Sequence, residues 1–261
     1  MNRPERLSQI IRELRDRWSL SLGKPFEDGN GTDSWVAPAE RRDGTRAVLK
    51  IGMPHMEAAD ASLGLRFWNG DPTVRLLESD VEFNAMLLER CEPGTALRER
   101  PEAEQDVVIA GLLRRLWRRP SASYPFRPLA AMIAAWAAET LADARQGHDA
   151  GRVREGLRVM EELSRPSPED VLLATDLHAG NVLRAQREPW LVIDPKPFVG
   201  DRAYDATQHL LNCGERLRRA PEATVRHFAE LLEVDGERVR LWLHARLAAD
   251  PDFRFPGGAL R

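Results

Sequence analysis

The chain opens with apolar residues at Leu7, Ile10, Ile11, Leu14 and Trp18 and charges between them, a three- and four-residue spacing that predicts a helix with one buried face. The period then shortens. Residues 35–41 and 45–51 read as strands joined by a tight Asp43-Gly44 turn, and a strand-like stretch precedes them across the Gly29-Asn30-Gly31 segment. Helical spacing returns over 55–68 and is stopped by Asn69-Gly70-Asp71-Pro72, after which 74–78 and 85–90 read as two more strands. The first lobe is therefore expected to hold five short strands and one inserted helix.

Glu92-Pro93-Gly94 breaks the pattern, and the composition changes beyond it. Residues 103–118, 129–146 and 153–163 carry apolar positions at helical spacing, as do 206–217, 222–232 and 237–248. Trp117 and Trp136 fall on those faces and are expected in the core. Between the two helical groups lie short apolar runs at 171–174 and 190–193. The expectation is an α+β fold of two lobes: residues 1–92, a small antiparallel sheet with its inserted helix, and residues 93–261, mainly helical.

Composition narrows the reading. A chain of 261 residues with 43% hydrophobic content can bury one sizeable core or two lobes. A formal net charge of -3 argues against the broad basic field of a protein that binds a nucleic acid polymer. No run of about 18 apolar residues occurs, so neither a membrane span nor a signal peptide is expected, and the protein is expected to be soluble and cytoplasmic. The two cysteines, Cys91 and Cys213, lie far apart in apolar contexts and read as buried thiols.

The chemistry concentrates in LLATDLHAGNVLRAQREPWLVIDPKPFVGDRAYD, residues 172–205. Asp176 is followed five residues later by Asn181, and the apolar run at 190–193 ends on Asp194, which places three oxygen-bearing groups on a loop, a short hairpin and a strand end. Phosphoryl transfer needs a proton acceptor and oxygen ligands for Mg²⁺, because the work is positioning and charge neutralisation. Gly29 and Gly31 could let backbone N–H groups approach phosphate oxygens, or could simply form a turn. Lys50, after three apolar strand residues, could grip phosphates or be a surface charge. A strand running into the 92–94 break offers free backbone groups at Glu89 and Cys91, of the kind the edge of an adenine needs.

With these residues in view, the chain resembles the aminoglycoside phosphotransferase family of the protein-kinase-like fold, within it the streptomycin 6-kinase and hydroxyurea kinase group. ATDLHAGNVL, REPWLVIDPKPFVGDRAYDATQHLLNC and ERVRLWLHARLA carry the resemblance, which spans nearly the whole chain. It implies an ATP- and Mg²⁺-dependent kinase that moves the γ-phosphate to a hydroxyl of a small, aminoglycoside-like acceptor and so confers resistance. It implies Asp176 as catalytic base, His178 as a brace of the loop and Asp205 as the buried aspartate that holds the loop by its amides. Asn181 and Asp194 become the Mg²⁺ ligands, Lys50 the phosphate-gripping lysine, and Gly29 and Gly31 the phosphate-covering loop.

The sequence departs from the family pattern at two places. Ala174 and Thr175 stand where His-Gly precedes the aspartate, and Ala61 stands where the helix glutamate pairs with the lysine. One turn earlier lies Glu57, which is expected, rather than Asp60, to pair with Lys50. Threonine resists backbone angles open to glycine, so either the loop keeps its course as a subgroup variation or its geometry changes. The alternative functions are a small-molecule metabolite kinase on the same fold and a nucleotide-binding regulator without catalysis.

Overall fold

The computed structural model describes residues 3–26, 34–52, 60–143 and 150–250. It divides into two compact units, Met1–Thr95 with Arg184–Leu191, and Ala96–Leu183 with Val192–Arg261.

In the first unit, helix α1 (Arg3–Arg17) precedes strands β1 (Leu20–Leu22), β2 (Ser34–Arg41) and β3 (Arg46–Gly52), then helix α2 (Ala61–Trp68) and strands β4 (Leu76–Asp80) and β5 (Ala85–Glu89). The strands form one antiparallel sheet in the order β1-β2-β3-β5-β4. At the β2–β3 turn Gly44 takes φ 81°, and the Asp43 carboxylate accepts the Thr45 N–H at 2.9 Å. The apolar face predicted for α1 is the one that packs: Leu7, Ile10, Ile11, Leu14 and Trp18 lie against Leu49, Ile51 and Leu87 of the sheet. Because Ala47, Leu49 and Ile51 are buried on that side of β3, period-two alternation puts Lys50 on the opposite face.

The second unit contains α3 (Glu102–Leu116), α4 (Leu129–Asp143), α5 (Ala150–Leu163), α6 (Arg202–Asn212), α7 (Gly214–Arg219), α8 (Pro221–Leu232) and α9 (Gly236–Ala249). Strand β6 (Val171–Leu173) pairs antiparallel with β9 (Phe198–Gly200). Between them, β7 (Val182–Arg184) and β8 (Trp190–Val192) make a two-stranded hairpin whose tip groups with the first unit. Helix α5 packs on α9 so closely that a Cβ on Gly156 would meet the Ala249 amide nitrogen at 2.5 Å. No helix among the described residues is long and apolar enough to cross a membrane.

Two expectations are corrected here. The single helix expected over 206–217 is two helices that meet at Cys213, and the first begins at Arg202 because Asp201 caps it by accepting the Ala203 N–H at 3.0 Å. Strand β4 sits two residues later than expected, at Leu76–Asp80, with a register shift between Leu76 and Glu78. Both cysteines are free and buried.

Candidate active site

The loop that follows β6 is tied down at its first residue. Asp205, in the first turn of α6, accepts the Ala174 N–H at 3.0 Å and the Trp117 indole N–H at 2.9 Å through one carboxylate oxygen. Burial pushes the Asp205 carboxyl up to about 6, against the pull of those donors. The Ala174 carbonyl accepts the amides of Asp176 and Lys196, and the Thr175 hydroxyl donates to the Lys196 carbonyl at 2.8 Å. Thr175 takes φ 28°, so the threonine adopts a positive backbone angle, and the hydroxyl bond to Lys196 holds it there.

Asp176 is thereby presented half-buried on a short, braced loop. Its carboxylate accepts the Gln208 side-chain N–H at 2.9 Å, and its carbonyl accepts the Asn181 side-chain N–H at 3.0 Å. His178 caps the short 3₁₀ turn Ala179–Asn181, its Nδ1 accepting the Gly180 N–H at 3.1 Å. Burial pulls the imidazole below its ordinary pKa, with the neighbouring Asp176 pushing the other way. A ring that accepts at Nδ1 is neutral there and carries its proton on Nε2.

The β7–β8 hairpin brings Asn181 and Asp194 side by side: Asn181 immediately precedes β7, Asp194 lies two residues after the end of β8, and the Ile193 N–H donates to the Asn181 carbonyl at 2.9 Å. Asp194 takes φ 51°, and its carboxylate pairs with the Lys196 ammonium at 2.9 Å. As a donor set this suits a divalent cation. Both side chains offer hard oxygens, and because the Asn181 Nδ2 is committed to the Asp176 carbonyl, its Oδ1 is turned away from that contact.

In the first unit, Lys50 lies mid-strand and half-buried, opposite Val36 and Met86. Gly29, Gly31 and Glu57 lie outside the described residues; Ala61 is buried at the start of α2. Of the backbone groups expected to be free at Glu89 and Cys91, the Glu89 N–H is engaged. The Glu89 N–H donates to the Arg75 carbonyl at 2.9 Å, just ahead of the register shift in β4. The Glu89 carboxylate is bound by Arg187 at 2.9 Å and by the Arg75 N–H at 2.9 Å, contacts that outweigh burial and hold it below the usual range. Burial pushes the Cys91 thiol up to about 12.

Several polar residues of the second unit escape the sequence reading. Gln208 stands three residues after Asp205, a spacing that puts the two on neighbouring positions of one helix face and could have flagged it. Arg246 on α9 donates to Gln208 at 2.8 Å and to the Thr207 hydroxyl at 2.5 Å. Buried Asp106 joins α3 to α6 and α7 through His209 at 2.7 Å and Arg216 at 2.5 Å; those partners outweigh burial and hold its carboxyl down at about 2. A cavity of about 270 Å³ opens beside Arg246, with Trp136, Glu139, Leu157, Met160 and Asp250 also in its wall.

The sequence and the fold are similar to those of known proteins. A family profile described as aminoglycoside/hydroxyurea antibiotic resistance kinase matches residues 17–250. A streptomycin 6-kinase of Streptomyces griseus is 39% identical over 254 residues, covering 92% of this chain and 80% of the relative. A hydroxyurea phosphotransferase of Kitasatospora aureofaciens is 35% identical over 250 residues, covering 93% and 72%. Among solved structures, the choline kinase LicA of Streptococcus pneumoniae superposes with a TM-score of 0.67 at 12% identity, covering 94% of this chain and 88% of that one. An aminoglycoside-3'-phosphotransferase of type VIII superposes with a TM-score of 0.60 at 21% identity, covering 92% and 97%. At those identities the structures speak for the fold, which is that of the protein-kinase-like phosphotransferases. The chain belongs to the aminoglycoside/hydroxyurea antibiotic resistance kinase family.

Proposed function

We propose that this kinase transfers the γ-phosphate of ATP, with Mg²⁺, to a hydroxyl of a streptomycin- or hydroxyurea-type antibiotic. The observation that carries this reading is the assembly of Asp176, Asn181 and Asp194 on one braced loop and hairpin, with Asn181 bonded to the Asp176 carbonyl at 3.0 Å. Asp176 accepts the proton of the attacking hydroxyl and orients its oxygen in line with the γ-phosphorus. Asn181 and Asp194 would hold the divalent ion, which supplies neutralisation of the charge on the phosphates. His178 braces the turn between base and ligand, Asp205 anchors the loop by the Ala174 amide, and residues 1–92 serve as the nucleotide lobe, in which Lys50 holds phosphate oxygens. Gly29, Gly31 and Glu57 are assigned to the same lobe by resemblance.

The acceptor is the finer part of the proposal. Glu139, Asp250 and the Trp136 ring in the wall of the cavity beside Arg246 suit a hydroxyl-bearing acceptor with cationic groups. The test is a product assay: purified protein, ATP and Mg²⁺ with streptomycin, hydroxyurea and a panel of amino alcohols, read by phosphorus NMR. A phosphate ester of streptomycin or a phosphorylated hydroxyurea supports the reading. Transfer confined to an amino alcohol would replace it with a metabolite kinase, and nucleotide binding without transfer to any acceptor would replace it with a regulator.

A further inference from the structure

We propose that Gln208 and Arg246 form a relay that positions the Asp176 carboxylate, Gln208 by direct contact and Arg246 by fixing which way Gln208 points; the role rests on Asp176 being the base. The relay can run in one direction only. A guanidinium only donates hydrogen bonds and a carboxylate only accepts them, while the amide between them has one group of each kind. Arg246 donates to the Gln208 oxygen at 2.8 Å, which obliges the Gln208 nitrogen to face Asp176, where it donates at 2.9 Å. Without the arginine, the amide could turn over and present its oxygen to the carboxylate, exchanging an attraction for a repulsion.

Arg246 is itself held in place. Its guanidinium lies 4.9 Å from the centre of the Tyr204 ring and 5.8 Å from that of Trp136, and it donates to the Thr207 hydroxyl at 2.5 Å. The helix that carries it meets α5 backbone to backbone at Gly156. The consequence for chemistry is orientation. A carboxylate turns about a broad, roughly two-fold torsion, and a fixed donor on one oxygen selects the plane from which the acceptor proton is taken. Gln208 and Arg246 are thus positioning residues, and the reactive contact stays with Asp176.

A double-mutant cycle on turnover with Mg-ATP and streptomycin separates this from a structural role. Gln208→Leu lowers kcat about 30-fold and Arg246→Met about 10-fold, with KM for ATP within about two-fold of the original. The double variant is no slower than Gln208→Leu alone, because Arg246 acts through Gln208, and Arg246→Lys recovers to within about three-fold. A double variant slower by the product of the two effects, or a folded Gln208→Leu protein with unchanged kcat, overturns the relay. If Arg246→Met does not fold, Gln208→Glu decides. It keeps the partner of Arg246 but cannot donate to an ionised Asp176, so kcat falls about 100-fold, and full turnover would overturn the proposal.

Failure of the functional reading is visible separately, as streptomycin and hydroxyurea both left unmodified by the original protein. The relay is then read without substrate from the Gln208 side-chain amide signals in ¹⁵N NMR, identified by their loss in Gln208→Leu. These signals shift in both the Asp176→Asn and the Arg246→Met proteins if the relay exists, and signals that stay in place in both overturn it.

Discussion

The Ile193 amide donates to the Asn181 carbonyl at 2.9 Å, closing the base of a hairpin whose two ends are Asn181 and Asp194. One backbone bond thus sets the spacing of the two proposed cation ligands. Asp194→Asn keeps the shape of the side chain but removes its charge, so the Mg²⁺ concentration for half-maximal turnover should rise by about ten-fold or more with the melting temperature little changed. A metal titration of turnover checks this; an unaltered Mg²⁺ dependence would remove Asp194 from the cation site.

The brace at His178 predicts a graded result. A Cβ on Gly180 would lie 2.8 Å from the His178 ring, so Gly180→Ala must push the imidazole off its cap. His178→Asn retains an acceptor for the Gly180 N–H and should keep turnover within about three-fold, whereas His178→Phe and Gly180→Ala should each lose about ten-fold. Steady-state kinetics on the three variants decide it, and equal activities would mean that the cap does not shape the loop.

Asp205 predicts a pH dependence of stability. Its folded carboxyl is raised by burial to about 6 from an ordinary 3.8, so the folded state binds the proton more tightly than the unfolded chain. The stability this supplies is fully present below the unfolded value and is lost as pH rises through about 6. Asp205→Asn cannot ionise, so between pH 4 and pH 7 its stability relative to the original protein should improve by about 2–3 kcal/mol. Denaturant melts at the two pH values measure the difference; the same difference at both would mean the carboxylate is not raised.

Gly156→Ala should destabilise by about 1–3 kcal/mol or more, since the atoms a Cβ would strike include the Ala249 nitrogen at 2.5 Å and the Ala245 carbonyl oxygen at 2.8 Å, backbone groups that cannot rotate away. Arg246 is carried on the displaced helix, so kcat should fall with stability. A thermal melt with the wild-type midpoint would contradict the close approach of α5 and α9.

The parts of this protein legible in its sequence are those written in local periodicity. The α1 face at Leu7, Ile10, Leu14 and Trp18 and the Asp43-Gly44 hairpin follow from spacing alone, and Asp176, Asn181 and Asp194 draw attention because they stand within one stretch. Helical periodicity runs through Cys213 without marking the break between α6 and α7, and strand β9 is too short at Phe198–Gly200 to show an alternation. Trp117 reads as core, yet its indole N–H is one of the two bonds on Asp205. Gln208 and Arg246 come from helices 38 residues apart in sequence, and a contact of that range depends on how α6 and α9 turn toward one another, which periodicity does not encode.

The central claim is that Asp176 is the base of a phosphoryl transfer. Its most direct test is a rapid-quench, single-turnover measurement of phosphate transfer from Mg-ATP to streptomycin by the original protein and by Asp176→Asn. The variant should bind ATP as before and transfer phosphate slower by about two to four orders of magnitude. Transfer at a near-normal rate by Asp176→Asn would contradict the account.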